Sequence, residues 1–255
     1  MGTDRIDGSL FTNIENKIAT VEFGHPASNS FPSILLKRLS SEINALSVNK
    51  EVQLIILKSE GEKAFCAGAS FDELVAITNQ EEGEAFFSGF GNVINAMRKC
   101  NKLIIGRVQG KTVGGGVGLI AACDYAIATE AAAIKLSELT IGIGPFVIAP
   151  AVERKMGVAA LAELTLAATE WKNAYWAKEK GLYAKVFETI TEVDNEIETL
   201  TNKLAAYNPE ALSTLKKALW ENTNHWDLLL IDRAKTSGKL VLSDFTKKAL
   251  EKFKK

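Results

Sequence analysis

Two apolar runs of strand length, residues 52–57 and 103–108, constrain this chain more than any other feature. Runs of this kind sit inside a sheet that is covered on both faces. Each is followed by a segment of small residues, 64–70 after the first and the glycine-rich 110–118 after the second. Between them lie helical patterns around 74–77 and 85–97, and upstream a helix is expected from Pro32, with Leu35, Leu39, Ile43 and Leu46 on one stripe. Residues 10–14 and 18–23 read as a hairpin around Glu15-Asn16-Lys17, and 125–128, 133–136 and 185–188 as further short strands. Strands alternating with helices point to an α/β core with parallel pairing. From about 148 the pattern is helical, and from about 192 to the end it is helical throughout, punctuated by Pro209, Asn222-Thr223-Asn224 and Gly238.

Composition narrows the function classes. The 255 residues are 47% hydrophobic and 24% charged, with 30 basic residues against 31 acidic and a formal charge of −1. That is a globular balance without the basic excess of a nucleic-acid binder. Cys66, Cys100 and Cys123 form no C-x-x-C pair and read as reduced, buried thiols. The charged start of the chain does not resemble a signal peptide, and the uncharged stretch 112–123 is too short to span a bilayer. A cytoplasmic protein that uses neither membrane nor nucleic acid is expected.

The motifs with chemical content are the two small-residue segments. In Gly114-Gly115-Gly116-Val117-Gly118, consecutive glycines allow close backbone approach, and a helix starting there would aim N–H donors at an oxyanion or phosphate. Close helix–sheet packing explains the same run equally well. No G-K-[S/T] follows, so it is not a P-loop. Residues 116–121 fit a relaxed G-x-G-x-x-A dinucleotide fingerprint with Glu138 about 20 residues on, which keeps a nicotinamide-dinucleotide-binding protein as an alternative. Against it, the strand ending at Val108 stands well before Gly116, and the helix available is short. Ala64-Phe65-Cys66-Ala67-Gly68-Ala69 is the second loop. Two such loops after two buried strands can set two N–H donors on one ligand oxygen. Cys66 has no neighbouring histidine to activate it. His25 and His225 read as turn and helix-start residues, there is no G-x-S-x-G, and no His and Cys cluster suits a metal.

Taken in order, three elements resemble the enoyl-CoA hydratase/isomerase (crotonase) superfamily along nearly the whole chain. They are 64–69; Val108-Gln109-Gly110 through Gly114-Gly115-Gly116 to Asp124; and Leu136-Ser137-Glu138-Leu139 with Ile141-Gly142. The resemblance implies a crotonase-like α/β spiral of ββα units over residues 1–190, with the active site, and a helical C-terminal oligomerisation region over 191–255. It also implies homotrimers, often paired into hexamers, and an acyl-CoA substrate with no separate cofactor. By position, the backbone N–H groups of Ala69 and Gly115 would hold the thioester oxygen and stabilise an enolate, and Glu138 would move the proton. Ala27, Ala64, Ala67 and Gly68 would contact coenzyme A, and Phe245 and Lys248 its nucleotide end.

The departures are informative. Hydratases of the superfamily carry a second glutamate two residues after the triple glycine, where this chain has Gly118. One carboxylate suffices to shuttle a proton between two carbons, as in the family's Δ3,Δ2-enoyl-CoA isomerases. The wording of the glycine run with Leu136-Ser137-Glu138 instead resembles short branched-chain hydratases such as those acting on 3-methylglutaconyl-CoA. Hydration of a short or branched 2-enoyl-CoA is ranked first, narrowly, before isomerisation. A non-catalytic CoA-ester binder is a further alternative. Ser137 replaces the usual proline, Gly144-Pro145-Phe146-Val147-Ile148 replaces Pro-Gly-x-Gly-Gly, and Ser70 stands where aspartate is frequent.

Overall fold

The computed structural model describes residues 6–252. The start of the chain on which the signal-peptide reading rests, residues 1–5, and Lys254 and Lys255 of the basic C-terminal end lie outside the described residues.

The chain opens with a hairpin of β1 (Ser9–Glu15) and β2 (Ile18–Gly24). Its turn residues Asn16 and Lys17 have φ of 50° and 67°, the left-handed pair that matches the twist of the strands. After α1 (Ser33–Val48) the chain winds as a spiral, each turn giving one strand to each of two sheets. The turns are β3 (Leu54–Ser59) with β4 (Ala64–Cys66), β5 (Leu103–Val108) with β6 (Lys111–Val113), and β7 (Tyr125–Thr129) with β8 (Ile134–Lys135). The large sheet runs β1-β2-β3-β5-β7-β9, closed by β9 (Lys185–Phe187), and is parallel apart from the hairpin. The small sheet is β4-β6-β8, all parallel. Both apolar runs occupy the middle of the large sheet.

Three expectations change. Residues 64–66, read as loop, are strand β4, and the glycine-rich stretch contains strand β6. The fourth short strand contracts to Ile134–Lys135. Strands of two or three residues carry no measurable period. They form because successive spiral turns bring their backbones alongside, with Ala64 opposite Lys111 and Thr112 opposite Ile134.

Helices fill the spaces between turns. α2 (Phe71–Ala76) and the long α3 (Gln80–Lys99) join β4 to β5, and α4 (Gly115–Ala122) joins β6 to β7. The 3₁₀ turn Glu138–Ile141 follows β8, then α5 (Ala149–Leu166), broken at Gly157 where φ is 83°, and α6 (Ala174–Glu179). The tail comprises α7 (Ile190–Ala205), α8 (Pro209–Leu219), α9 (Trp226–Val241) and α10 (Asp244–Glu251). α7 covers the outer face of the large sheet, with Val193 and Ile197 packed against Ile105 and Ile127. α8 is pinned by an ion pair in which the Lys216 ammonium, 1% exposed, donates to both oxygens of Asp124 at 2.9 and 2.7 Å. α9 lies across α3, where Gly83 and Gly238 touch so closely that a methyl group on Gly83 would stand 2.8 Å from the Gly238 Cα. The helical tail therefore packs on its own core.

Candidate active site

Phe31 organises the first loop. Its ring stacks in the buried cluster of Phe23, Phe65 and Phe90, with centroids 4.7 Å from Phe23 and 5.8 Å from Phe90. Its backbone makes a parallel bridge to Ala69: Phe31 N–H donates to the Gly68 carbonyl and Ser70 N–H donates to the Phe31 carbonyl, both at 2.8 Å. Because extended backbone alternates its hydrogen-bonding edges, the Ala69 N–H is turned away from Phe31. Ser70 then caps α2 by accepting from Glu73 N–H, which accounts for a serine at this position. The turn carrying Ala27 lies beside this loop, since Ala67 N–H donates to the Ser28 carbonyl and the Asn29 amide donates to the Ala64 carbonyl.

The second loop meets the first. Gly114, at φ 55° and ψ −122°, reverses the chain between β6 and α4 in a conformation that a side chain strains. Gly115 is the first residue of α4, so its N–H has no acceptor one turn back. A methyl group on Gly68 would stand 3.9 Å from that nitrogen, which sets the Ala69 and Gly115 neighbourhoods side by side. The residues of the suspected dinucleotide fingerprint, 116–121, lie inside α4 rather than in a strand-to-helix turn, so they do not form a dinucleotide loop.

Glu138 opens the 3₁₀ turn that Gly142, at φ 80°, closes. Its Oε1 lies 2.9 Å from where a methyl group on Gly114 would stand. Its Oε2 is buried and has no hydrogen-bond partner among the described residues. Removal from water pushes this carboxyl up from its ordinary value of 4.5 to about 7. Phe245 and Thr246 of α10 press on Gly142, so the tail braces the turn from outside. Phe245 is itself 66% exposed and Lys248 is exposed on the same helix; neither lines the cavity.

Ala67, Gly68, Ala69, Gly114, Gly115 and Glu138 surround one cavity of about 150 Å³, completed by an apolar wall that includes Leu74, Phe86, Phe87, Phe90, Val147 and Ile148. Of the lining side chains only Ser137, Glu138 and Ser237 carry oxygen, and among the described residues no lysine or arginine lines the cavity. The phenylalanines of α3, Ile148 and Ser237 were not legible as site residues from their spacing. Gly118 explains itself here: a side chain at that position would stand 2.5 Å from Ile148 Cγ2. The space that a side chain at position 118 would enter holds the Ile148 side chain.

Burial pushes the Cys66 thiol up to about 12, so it is an inert packing group. His25 serves its turn, its ring nitrogen Nδ1 accepting from Ala27 N–H at 3.2 Å. Among the described residues no three His, Cys, Asp or Glu side chains are grouped to hold a metal ion.

The model of the enoyl-CoA hydratase/isomerase family matches residues 13–251. The chain is 30% identical over 192 residues to a peroxisomal Δ(3,5)-Δ(2,4)-dienoyl-CoA isomerase of Arabidopsis thaliana, covering 69% of this chain and 67% of the relative. It is 32% identical over 195 residues to a mitochondrial methylglutaconyl-CoA hydratase of Rattus norvegicus, covering 75% and 61%. In fold it is similar to a crystal structure of an enoyl-CoA hydratase from Bacillus halodurans, with TM-score 0.88 and 19% identity over 95% of this chain and 99% of that one. The spiral of paired strands, the facing loops and the extent of these matches lead to one conclusion: the chain belongs to the enoyl-CoA hydratase/isomerase family.

Proposed function

We propose that this protein shifts the double bond of a 3-enoyl-CoA with an uncharged acyl group into conjugation with its thioester, with Glu138 as the single proton carrier. The observation that carries this reading is Ile148 filling the space beside Gly118. Hydration is served by two carboxylates that hold a water and share its protons, and here the second position is apolar. Isomerisation needs only one. The Glu138 carboxylate would remove a proton from C2, the electrons moving through the thioester into an oxyanion held by the Ala69 and Gly115 N–H groups. Glu138 then returns the proton at C4, leaving a 2-enoyl thioester of unchanged mass. Each N–H donor of such a pair is worth about 2.7–4 kcal/mol of transition-state stabilisation. A carboxyl near pH 7 suits both halves of the transfer. In this reading Ala27, Ala64, Ala67 and Gly68 carry the coenzyme A moiety, and Phe245 and Lys248 stand near its nucleotide.

Hydration of a short branched 2-enoyl-CoA is the second reading, favoured by the match to a methylglutaconyl-CoA hydratase. It is ranked lower because Ile148 leaves no room for a second carboxylate beside Gly118, and the terminal carboxylate of a methylglutaconyl-like acyl group would meet an apolar wall and Glu138, with no lysine or arginine in the lining among the described residues. A passive CoA-ester binder gains nothing from burying an unpartnered carboxylate. The test is incubation with 3-enoyl- and 2-enoyl-CoA panels, branched and straight, followed by mass analysis. Conversion of 3-enoyl to 2-enoyl esters without mass gain, lost in Glu138→Gln, is expected. Addition of one water as the main product would reverse the ranking.

A further inference from the structure

Ser237 is the single residue that α9 contributes to the cavity lining. It is 1% exposed, and its hydroxyl is buried without a hydrogen-bond partner among the described residues. A helical serine or threonine ordinarily settles this by donating to the carbonyl four residues back. Thr236, its immediate neighbour, does so to Asp232 at 3.0 Å, as Thr201 does to Ile197 at 2.8 Å. Ser237 does not. Its position is fixed by the adjoining residue, because Gly238 forms the close crossing with Gly83 that seats α9 on α3. A buried hydroxyl left unpaired is destabilising, and on a residue that lines a cavity it can be satisfied by a polar group on what enters.

We propose that Ser237 is a specificity-determining residue, pairing with a hydroxyl or keto oxygen on the acyl chain. This rests on the isomerase reading for the reaction but not for the binding. The oxygen is neutral by electrostatics. Among the described residues no lysine or arginine lines the cavity to balance a second carboxylate, and the Glu138 carboxylate would repel one. The remaining wall is apolar, so a single oxygen on an otherwise hydrocarbon chain is the complement. Ser237 and Glu138 are not bonded to each other, since both Ser237 Oγ and Glu138 Oε2 are without partners, which leaves each free for a different atom of the substrate.

The test uses saturated acyl-CoA esters, which bind but cannot isomerise. Pairs of equal length, one plain and one bearing a hydroxyl or keto group, are titrated calorimetrically into the full-length protein, with the substituent walked outward from C4. At the matching position the preference for the oxygenated ester should be about tenfold greater in the unmodified protein than in Ser237→Ala, the effect of one buried hydrogen bond. Ser237→Cys keeps the size with a weak hydrogen-bonding group, and should lose the preference as well. Equal preference in all three proteins at every position overturns the proposal. Because no turnover is needed, a protein that binds these esters with the expected preference yet fails to isomerise enoyl esters would refute the proposed reaction and leave this inference standing.

Discussion

Replacing Glu138 with glutamine separates what burial costs from what the carboxylate does. The folded protein holds the Glu138 proton more tightly than the unfolded chain, because burial raises its pKa from 4.5 to about 7. Between those values the native state binds more protons than the unfolded state, so this group makes stability fall as pH rises. Below about pH 4.5 the carboxyl is neutral in both states and costs nothing by this route. Above about pH 7 it is charged in both, and the full penalty applies: about 2.5 pKa units, or about 3 kcal/mol. Glutamine keeps the shape and never ionises. Glu138→Gln should therefore leave stability little changed at pH 4.5 and raise it by up to about 3 kcal/mol at pH 8, while turnover falls by about 10²–10⁴. Urea unfolding of both proteins at pH 4.5, 6 and 8 measures this difference directly. A stability difference that is flat across that range would refute the argument that desolvation holds this carboxyl near neutrality.

Three other expectations follow from particular contacts. Asp124→Ala removes the counter-charge of the buried Lys216 and the acceptor of Trp220 Nε1–H and Ile104 N–H, and should cost about 3–5 kcal/mol in urea unfolding; adding Lys216→Met should recover part of it. Gly114→Ala strains a residue at φ 55° and sets a methyl group 2.9 Å from Glu138 Oε1, so turnover should fall by about 10² while circular dichroism shows an unchanged fold. Gly83→Ala drives a methyl group against Gly238 backbone, which cannot yield as a side chain would, and should lower stability by about 1–3 kcal/mol and weaken acyl-CoA binding measured by calorimetry.

What the sequence made legible follows from length and charge of pattern. Helix α1 and strands β3 and β5 are long enough for their apolar residues to declare a period or a buried run, and the structure forms them within two residues of the expected positions at their starts. Strands β4 and β6 were illegible because three residues have no period; their pairing is imposed by the spiral. The same division holds in the cavity. Gly115 and Ala69 sit in segments whose small residues signal close backbone approach, Glu138 sits in a segment picked out by the family resemblance, and the fold gathers all three around one space. Ile148 and Ser237 give no such signal. Ile148 lies in the segment 144–148 that departs from the family pattern, but only the fold shows its side chain filling the space beside Gly118; Ser237 comes from a helix nearly 100 positions beyond Glu138, so only the α3–α9 crossing reveals it.

Gly118 and the raised pKa of Glu138 are two sides of one physical arrangement. In a site with two carboxylates, each raises the other's pKa by like-charge repulsion, and water between them moderates both. Here the Ile148 side chain fills the space beside Gly118, and among the described residues no second carboxylate lines the cavity. Glu138 nonetheless reaches about 7, because the apolar wall withdraws it from water. Burial alone therefore gives Glu138 the near-neutral pKa that the proposed proton transfer uses. A carboxylate near neutral pH in an apolar lining can take and return a proton with similar ease, but it has no companion to orient a water molecule. Restoring the partner therefore takes two changes, Gly118→Glu to supply the carboxylate and Ile148→Ala to make room for it, since the glutamate alone would collide with Ile148 Cγ2.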